Sequence, residues 1–287
     1  MAEWSKTWTF FDGAWREGNP PLVGPRSHTM WLASAVFDGA RTFEGVTPDL
    51  DLHLQRVNRS AAVMGMRPVV PEVMWMDLAR DGLKRFDAGT ALYIKPMYWA
   101  ERSGVSAVAP DPDSTRWCLT LYELPMPGES GQSITLSPFR KPSAETAPVE
   151  AKAACLYPNN ARAGMEAYAR GFDNAMLLDL QGNVAELATA NVFMAKDGVV
   201  LTPAPNGTFL DGITRQRVVA LLRADGVEVV ERSLGWRDFL DADEIFSSGN
   251  FAKVHPIARI EERALQPGPL YARARALYWA FAHEQRA

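Results

Sequence analysis

Cysteine is nearly absent from this chain: Cys118 and Cys155 are the only two in 287 residues. They are far apart and lack the close spacing of a metal knuckle. Neither a disulfide framework nor a thiolate metal site is implied, and a reducing cytoplasm is the expected compartment. Histidine is also scarce. His28, His53, His255 and His283 include no i,i+4 pair of the zinc type, so no metal is expected. No apolar run is long enough to span a bilayer, and "MAEWSKTWTFFDGAWREG" at the start carries charges where a signal peptide would be apolar. Long blocks of one charge are missing too. The net charge of −4 is spread along the chain, which argues against nucleic acid or an anionic membrane as partner. No internal repeat is visible.

What is present fits a folded globular protein: 47% apolar and 22% charged residues, enough for one large core or two modest ones. The nine tryptophans are expected in cores or interfaces, because large rings bury large areas. "TWTFFDGAWREG" alternates around Asp12-Gly13 and predicts a hairpin. Residues 51–65 place Leu52, Val57, Ala61 and Met64 near a helical period, with Asp49 or Asp51 as cap. A second helix is predicted from Pro71 to about Phe86. "TALYIKPMYWA" and "TRWCLTLYEL" read as strands, with Pro96 favouring an edge or a strand end. The Pro/Gly/Ser-rich stretch "LPMPGESGQ" supplies a linker at 124–131, separating a small domain (1–123) from a larger one (132–287). In the second half, residues 174–203 read as three strands turning at Gln181-Gly182-Asn183 and Asp197-Gly198. "GITRQRVVALLRADG" is a helix between Gly212 and Gly226, followed by strands at "VEVVERS" and "DEIFSSG" and a last helix over about 270–283. The fold class predicted is α+β, or mixed α/β.

Three features carry chemistry. In "NVAELATANVFMA", alternation sets Glu186 on a face with Ala188, Ala190 and Val192, where a carboxylate needs a cationic partner such as a protonated ring nitrogen. In "FLDGITRQ", Gly212 precedes a helix whose first amides, at Ile213 and Thr214, and whose dipole suit a phosphate, with the Thr214 hydroxyl adding a donor. In "HLQRVNRSA", Arg56 offers a planar fork for phosphate. Lys152, in "AKAACLYPNNARA" ahead of a Tyr-Pro-Asn-Asn turn, is either a solvated lysine or a reactive amine. One ligand makes these coherent, although spacing alone does not force it: pyridoxal 5′-phosphate. Lys152 would form its Schiff base, Glu186 would keep the pyridine nitrogen protonated, and Tyr157 would hydrogen-bond the ring hydroxyl. Cys155 reads as a packed thiol.

The sequence resembles the fold-type IV pyridoxal-phosphate enzymes, which share the D-amino acid aminotransferase-like fold, especially the branched-chain amino acid aminotransferases. The resemblance covers nearly the whole chain. It is carried by "VFDGAR", "HLQRVNRSA", "AKAACLYPN", "NVAELATANVFMAKDGVVLTP", "FLDGITRQ" and "EIFSSGNFAKVHPI". It implies Lys152 as the catalytic Schiff-base lysine, and cofactor contacts from Arg56, Tyr157, Glu186, Ile213, Thr214 and Asn250. It also implies a two-domain chain with the cofactor between the domains, acting as a homodimer whose partner helps complete the pocket. The activity implied is ping-pong transfer of an amino group between an apolar, branched-chain type amino acid and a 2-oxo acid. Departures lie on the substrate side. Leu32 stands where the relatives have a tyrosine, Lys95 replaces arginine in Tyr-Ile-Arg-Pro, and Asn250-Phe251 replaces Thr-Ala. Phe37, Arg41, Tyr93, Lys95 and Phe251 are the substrate-pocket candidates. (R)-selective amine and D-amino acid transaminases, and an aminodeoxychorismate lyase-like enzyme, are the alternatives on the same fold.

Overall fold

The computed structural model describes residues 4–284. The first three residues of the N-terminal stretch and the last three of the expected 132–287 domain lie outside the described residues. The chain divides into two compact units. Unit 1 runs to Met126 and takes in Glu150–Leu156 and the chain from Ala282; unit 2 is Pro127–Val149 with Tyr157–Phe281.

Unit 1 contains β1 (Thr7–Phe11), β2 (Ala14–Glu17), α1 (His28–Leu32), β3 (Ala35–Phe37), β4 (Ala40–Thr42), α2 (Leu50–Val63), α3 (Glu72–Leu83), β5 (Leu92–Ala100) and β6 (Thr115–Glu123). Its antiparallel sheet runs β2-β1-β6-β5-β3, with β4 also on β5. Asp12 and Gly13, at φ 50° and 76°, both take the left-handed conformation that a two-residue hairpin requires. The buried face of α2 is Leu50, Leu54, Val57 and Ala61, packed with Trp75 and Ala79 of α3 against Ile94, Leu119 and Leu121. Each large apolar side chain buried this way contributes about 1.5–3 kcal/mol. The expected face included Leu52 and Met64, which are only partly buried. Asp49 occupies the N-cap of α2 but makes no side-chain cap bond, because its φ of 57° departs from the extended backbone that such a cap uses.

Pro96 is not at an edge. It lies inside β5, which pairs with β6 on one side and with β3 and β4 on the other. The register explains this. β3 pairs with residues 97–99 and β4 with 92–94, and Pro96 O accepts from Asp38 N at 3.0 Å in the gap between them. A strand residue's N–H and C=O point the same way, so the missing N–H faces the gap where the ladder is already interrupted.

Unit 2 contains β7 (Gln132–Arg140), α4 (Tyr157–Ala169), β8 (Asn174–Leu178), β9 (Val184–Leu187), β10 (Asn191–Lys196), β11 (Val199–Pro203), α5 (Ile213–Ala224), β12 (Val229–Arg232), α6 (Trp236–Leu240), β13 (Glu244–Gly249), β14 (Lys253–Ile260), β15 (Arg263–Ala264) and α7 (Pro269–Glu284). The sheet order is β12-β11-β10-β13-β14-β7-β8-β9, with β15 on β14. It is mixed: β11/β12, β14/β7 and β7/β8 are parallel, and the other pairs antiparallel. The expected three strands over 174–203 are four. The run carrying Glu186 breaks at 188–190, where Leu187 N bonds to Ala190 O, so β9 and β10 join different neighbours. Tyr157-Pro158-Asn159-Asn160 is likewise not a free turn but the opening of α4. Proline suits that place, since a first-turn N–H has no partner within the helix.

Lys152 folds with unit 1 rather than with the 132–287 domain. Phe37 N donates to Lys152 O at 3.1 Å, Val36 and Ala153 form an antiparallel bridge, and Lys152 N donates to Ser60 Oγ at 3.0 Å. These bonds add residues 150–156 to β3 and α2.

Candidate active site

In unit 1 the residues expected to form the site gather around the turn between β3 and β4. Asp38 is wholly buried there. It accepts from Arg56 Nε at 2.6 Å and Nη2 at 2.9 Å, from His53 at 2.7 Å, and from Gly39 N at 2.7 Å. The i,i+3 spacing of His53 and Arg56 puts both on the α2 face that meets this turn. Burial alone would raise the pKa of Asp38; the Arg56 and His53 contacts outweigh it and hold the carboxyl well below the usual carboxylate range. Arg56 therefore sits in a fixed orientation.

Phe37, the residue before Asp38, meets two amines. Lys152 Nζ lies 5.0 Å and Lys95 Nζ 5.3 Å from the centre of its ring, within cation–π range. Burial lowers the pKa of Lys95; Cys118 opposes that shift and Lys152 reinforces it. Tyr93 stacks on Tyr122 at 5.3 Å and sets its hydroxyl against Gly39, where any Cβ would lie 2.0 Å from it. The glycine of "VFDGAR" is thus a packing requirement. Arg41 is fully buried, and its guanidinium bonds to Leu124 O. Burial lowers its pKa to about 10, against the pull of Tyr93 and Tyr122. Burial also raises the Cys155 thiol above its ordinary value, which fits a packed side chain.

In unit 2, Glu186 lies buried in β9. Lys141 Nζ approaches its Oε1 at 2.7 Å and also donates to Asn160 Oδ1 at 3.1 Å. Asn191 donates to Glu186 Oε2 at 3.2 Å and to Leu210 O at 3.0 Å, while its Oδ1 accepts from Gly212 N at 3.2 Å. Gly212 is the N-cap of α5, and a Cβ there would fall 2.3 Å from Asn191 Oδ1. One asparagine thus couples the carboxylate to the helix start formed by Ile213 and Thr214, both buried. Tyr157 opens α4 and is 37% exposed. Asn250 and the half-exposed Phe251 lie in the loop after β13.

The structure brings Lys152, Phe37 and Lys95 together in unit 1, and Glu186, Ile213 and Thr214 together in unit 2. Sequence reasoning overlooked the residues that hold them: Asp38, Ser60, Lys141, Asn160 and Asn191. Their signal was faint. Each is a common polar residue whose role depends on a partner far along the chain. Among the described residues no group of His, Cys, Asp or Glu could hold a metal ion, and no helix is long and apolar enough to cross a membrane.

The model of the class IV amino-transferases matches residues 35–260. The chain belongs to the class IV aminotransferases. Within this family it is 30% identical over 235 residues to a probable branched-chain-amino-acid aminotransferase of Rickettsia bellii, covering 82% of this chain and 81% of that protein. It is 28% identical over 264 residues to the branched-chain-amino-acid aminotransferase of Escherichia coli K12, covering 88% and 84%. A crystal structure of an aminotransferase from Brucella abortus bound to PLP shares 55% identity and a TM-score of 0.96, over 97% of this chain and 99% of that one. The crystal structure of a branched-chain aminotransferase from Thermoproteus uzoniensis with norvaline shares 26% identity and a TM-score of 0.88, over 99% and 96%. As a class IV aminotransferase the chain has the mixed α+β, fold-type IV architecture.

Proposed function

We propose that this class IV aminotransferase uses pyridoxal 5′-phosphate to move an amino group between a branched-chain type amino acid and a 2-oxo acid. The observation that carries the reading is the Asn191 bridge. It couples a buried carboxylate, Glu186, to the amides that open α5. That donor set fits a ligand with a basic ring nitrogen and a phosphate. The chain's likeness to the branched-chain-amino-acid aminotransferases of Rickettsia bellii and Escherichia coli supports the branched-chain substrate, and the PLP-bound Brucella abortus structure supports the cofactor.

In this reading Glu186 faces the ring nitrogen, oriented by Asn191 and Lys141. Ile213, Thr214, Asn250 and Arg56 would hold the phosphate, and Tyr157 would meet the ring hydroxyl. Bound there, the cofactor supplies an electron sink for charge developing on the substrate carbon. Lys152 Nζ would be the amine that anchors the cofactor and, as a free amine, would carry the proton from the amino donor's α-carbon. Phe37, against which Lys152 rests, limits where that amine can swing. Phe37, Arg41, Tyr93, Lys95 and Phe251 shape the substrate side. Lys95 presents a positive charge for a carboxylate without a bidentate fork.

We also place the protein in the cytoplasm as a homodimer. Exposed apolar side chains support the dimer: Met30 and Trp31 on α1, and Val108, whose carbonyl lies 3.0 Å from His28 Nε2. Light scattering reads the dimer.

The deciding assay sets L-leucine, D-alanine and (R)-1-phenylethylamine against 2-oxoglutarate and pyruvate. L-leucine with 2-oxoglutarate should turn over. Reaction of the amine alone, or pyruvate release without a second substrate, would defeat the assignment. Lys152→Ala should lose turnover, and borohydride reduction should label Lys152; a label on Lys141 or Lys95 would move the catalytic amine.

A further inference from the structure

A fully buried lysine closes the loop between β13 and β14, and nothing in the proposed function employs it. Gly249 pairs with Lys253, so Asn250, Phe251 and Ala252 form a three-residue hairpin loop. The residue after such a loop commonly adopts the left-handed conformation, for which glycine is best suited. Here it is Lys253, at φ 61° and 0% exposure. A side chain in that conformation is strained, and burying an ammonium is costly unless it is well paired.

Lys253 Nζ donates to Asn250 Oδ1 at 2.8 Å. An ammonium can only donate, so this contact decides which way the amide faces: Oδ1 toward Lys253 and Nδ2 away from it. Asn250 Nδ2 is buried and has no hydrogen-bond partner among the described residues. The same holds for the Ser248 hydroxyl, on a residue only 1% exposed. Buried polar groups left unsatisfied are costly, which points to a ligand. The ladder says which end of the ligand. Ser248 is the cross-strand partner of Asn191, and Asn191 Oδ1 holds Gly212 N at the start of α5. Ser248 stands on the strand pair that anchors a helix N-terminus suited to an anion, and Asn250 follows it in the loop just beyond β13.

We propose that Lys253 is a positioning residue for the cofactor's phosphate: it locks the Asn250 amide so that Nδ2, with the Ser248 hydroxyl, is presented as an oriented donor pair. This rests on the pyridoxal-phosphate reading and extends it to a residue that acts through another.

The test titrates full-length wild type, Lys253→Met, Asn250→Ala and the double variant with pyridoxal 5′-phosphate and with pyridoxal, which lacks the phosphate. Visible absorbance reports binding. Lys253→Met should weaken pyridoxal 5′-phosphate about 10- to 100-fold, as expected for a lost hydrogen bond to a charged group. Its affinity for pyridoxal should be unchanged. Asn250→Ala should show the same selective loss, and the double variant should lose no more than Asn250→Ala alone. Equal loss for both ligands, or additive losses in the double variant, would overturn the role of Lys253. If Lys253→Met melts too early to titrate, Lys253→Gln replaces it. A neutral donor in that place should keep most of the phosphate-dependent affinity, and complete loss would refute positioning. Should wild type bind neither ligand, the pyridoxal-phosphate reading fails and this proposal falls with it.

Discussion

Replacing Asp38 with asparagine should destabilise the protein well beyond the loss of one ordinary hydrogen bond. The carboxylate is wholly buried and takes hydrogen bonds from Arg56 Nε and Nη2, His53 and Gly39 N at 2.6–2.9 Å. An asparagine of nearly the same shape keeps one acceptor oxygen and turns an NH2 toward groups that are themselves donors. Arg56 then remains buried without its counter-charge. Breaking a buried pair from one side costs about 3–5 kcal/mol. In a chain of this size each kcal/mol moves the melting temperature by about 2–4 °C, so a drop of roughly 10 °C is expected at neutral pH. Acid adds a second check. The carboxyl is held well below the usual carboxylate range in the native state. Its contribution is therefore complete above the unfolded pKa of about 3.9 and is lost as pH falls toward the lower native value. The gap between wild type and Asp38→Asn should narrow below about pH 4. Calorimetric melts from pH 3 to 8 measure both effects. A neutral-pH shift under about 2 °C, or a gap that widens in acid, would refute the reasoning.

Glu186→Gln should strand the buried Lys141 ammonium, now 2.7 Å from the carboxylate, and cost about 3–5 kcal/mol. Adding Lys141→Met should recover part of that stability in denaturant titrations while cofactor binding stays weak; additive losses would deny the coupling. Gly39→Ala drives a methyl group to within 2.0 Å of the Tyr93 hydroxyl, so about 1–3 kcal/mol of overpacking is expected. A displaced Tyr93 should show as a raised KM for the amino donor. A melt unchanged from wild type would mean that the turn relaxes freely.

Much of this protein was readable locally. Asp12-Gly13 and Asp197-Gly198 form their hairpins because both residues of each pair tolerate positive φ. Gly212-Ile213-Thr214 opens a helix. These outcomes depend on neighbours a few residues apart, and so did the motifs that carried the family resemblance. Other features depend on distant partners. Pro96 is tolerated inside β5 only because β3 and β4 leave a gap opposite it. The strand after Glu186 breaks because β9 pairs with β8 while β10 pairs with β13. Lys152 joins unit 1 through bonds to Phe37 and Ser60. Asp38, Lys141 and Asn191 became recognisable once Arg56, Glu186 and Gly212 stood beside them. The sequence by itself determined the turns, the helix start and the functional groups on offer, since torsional preference and functional-group chemistry are properties of single residues and near neighbours. Only the tertiary structure decided which of those groups are buried, oriented and charged, because desolvation and pairing arise where segments far apart in the chain meet.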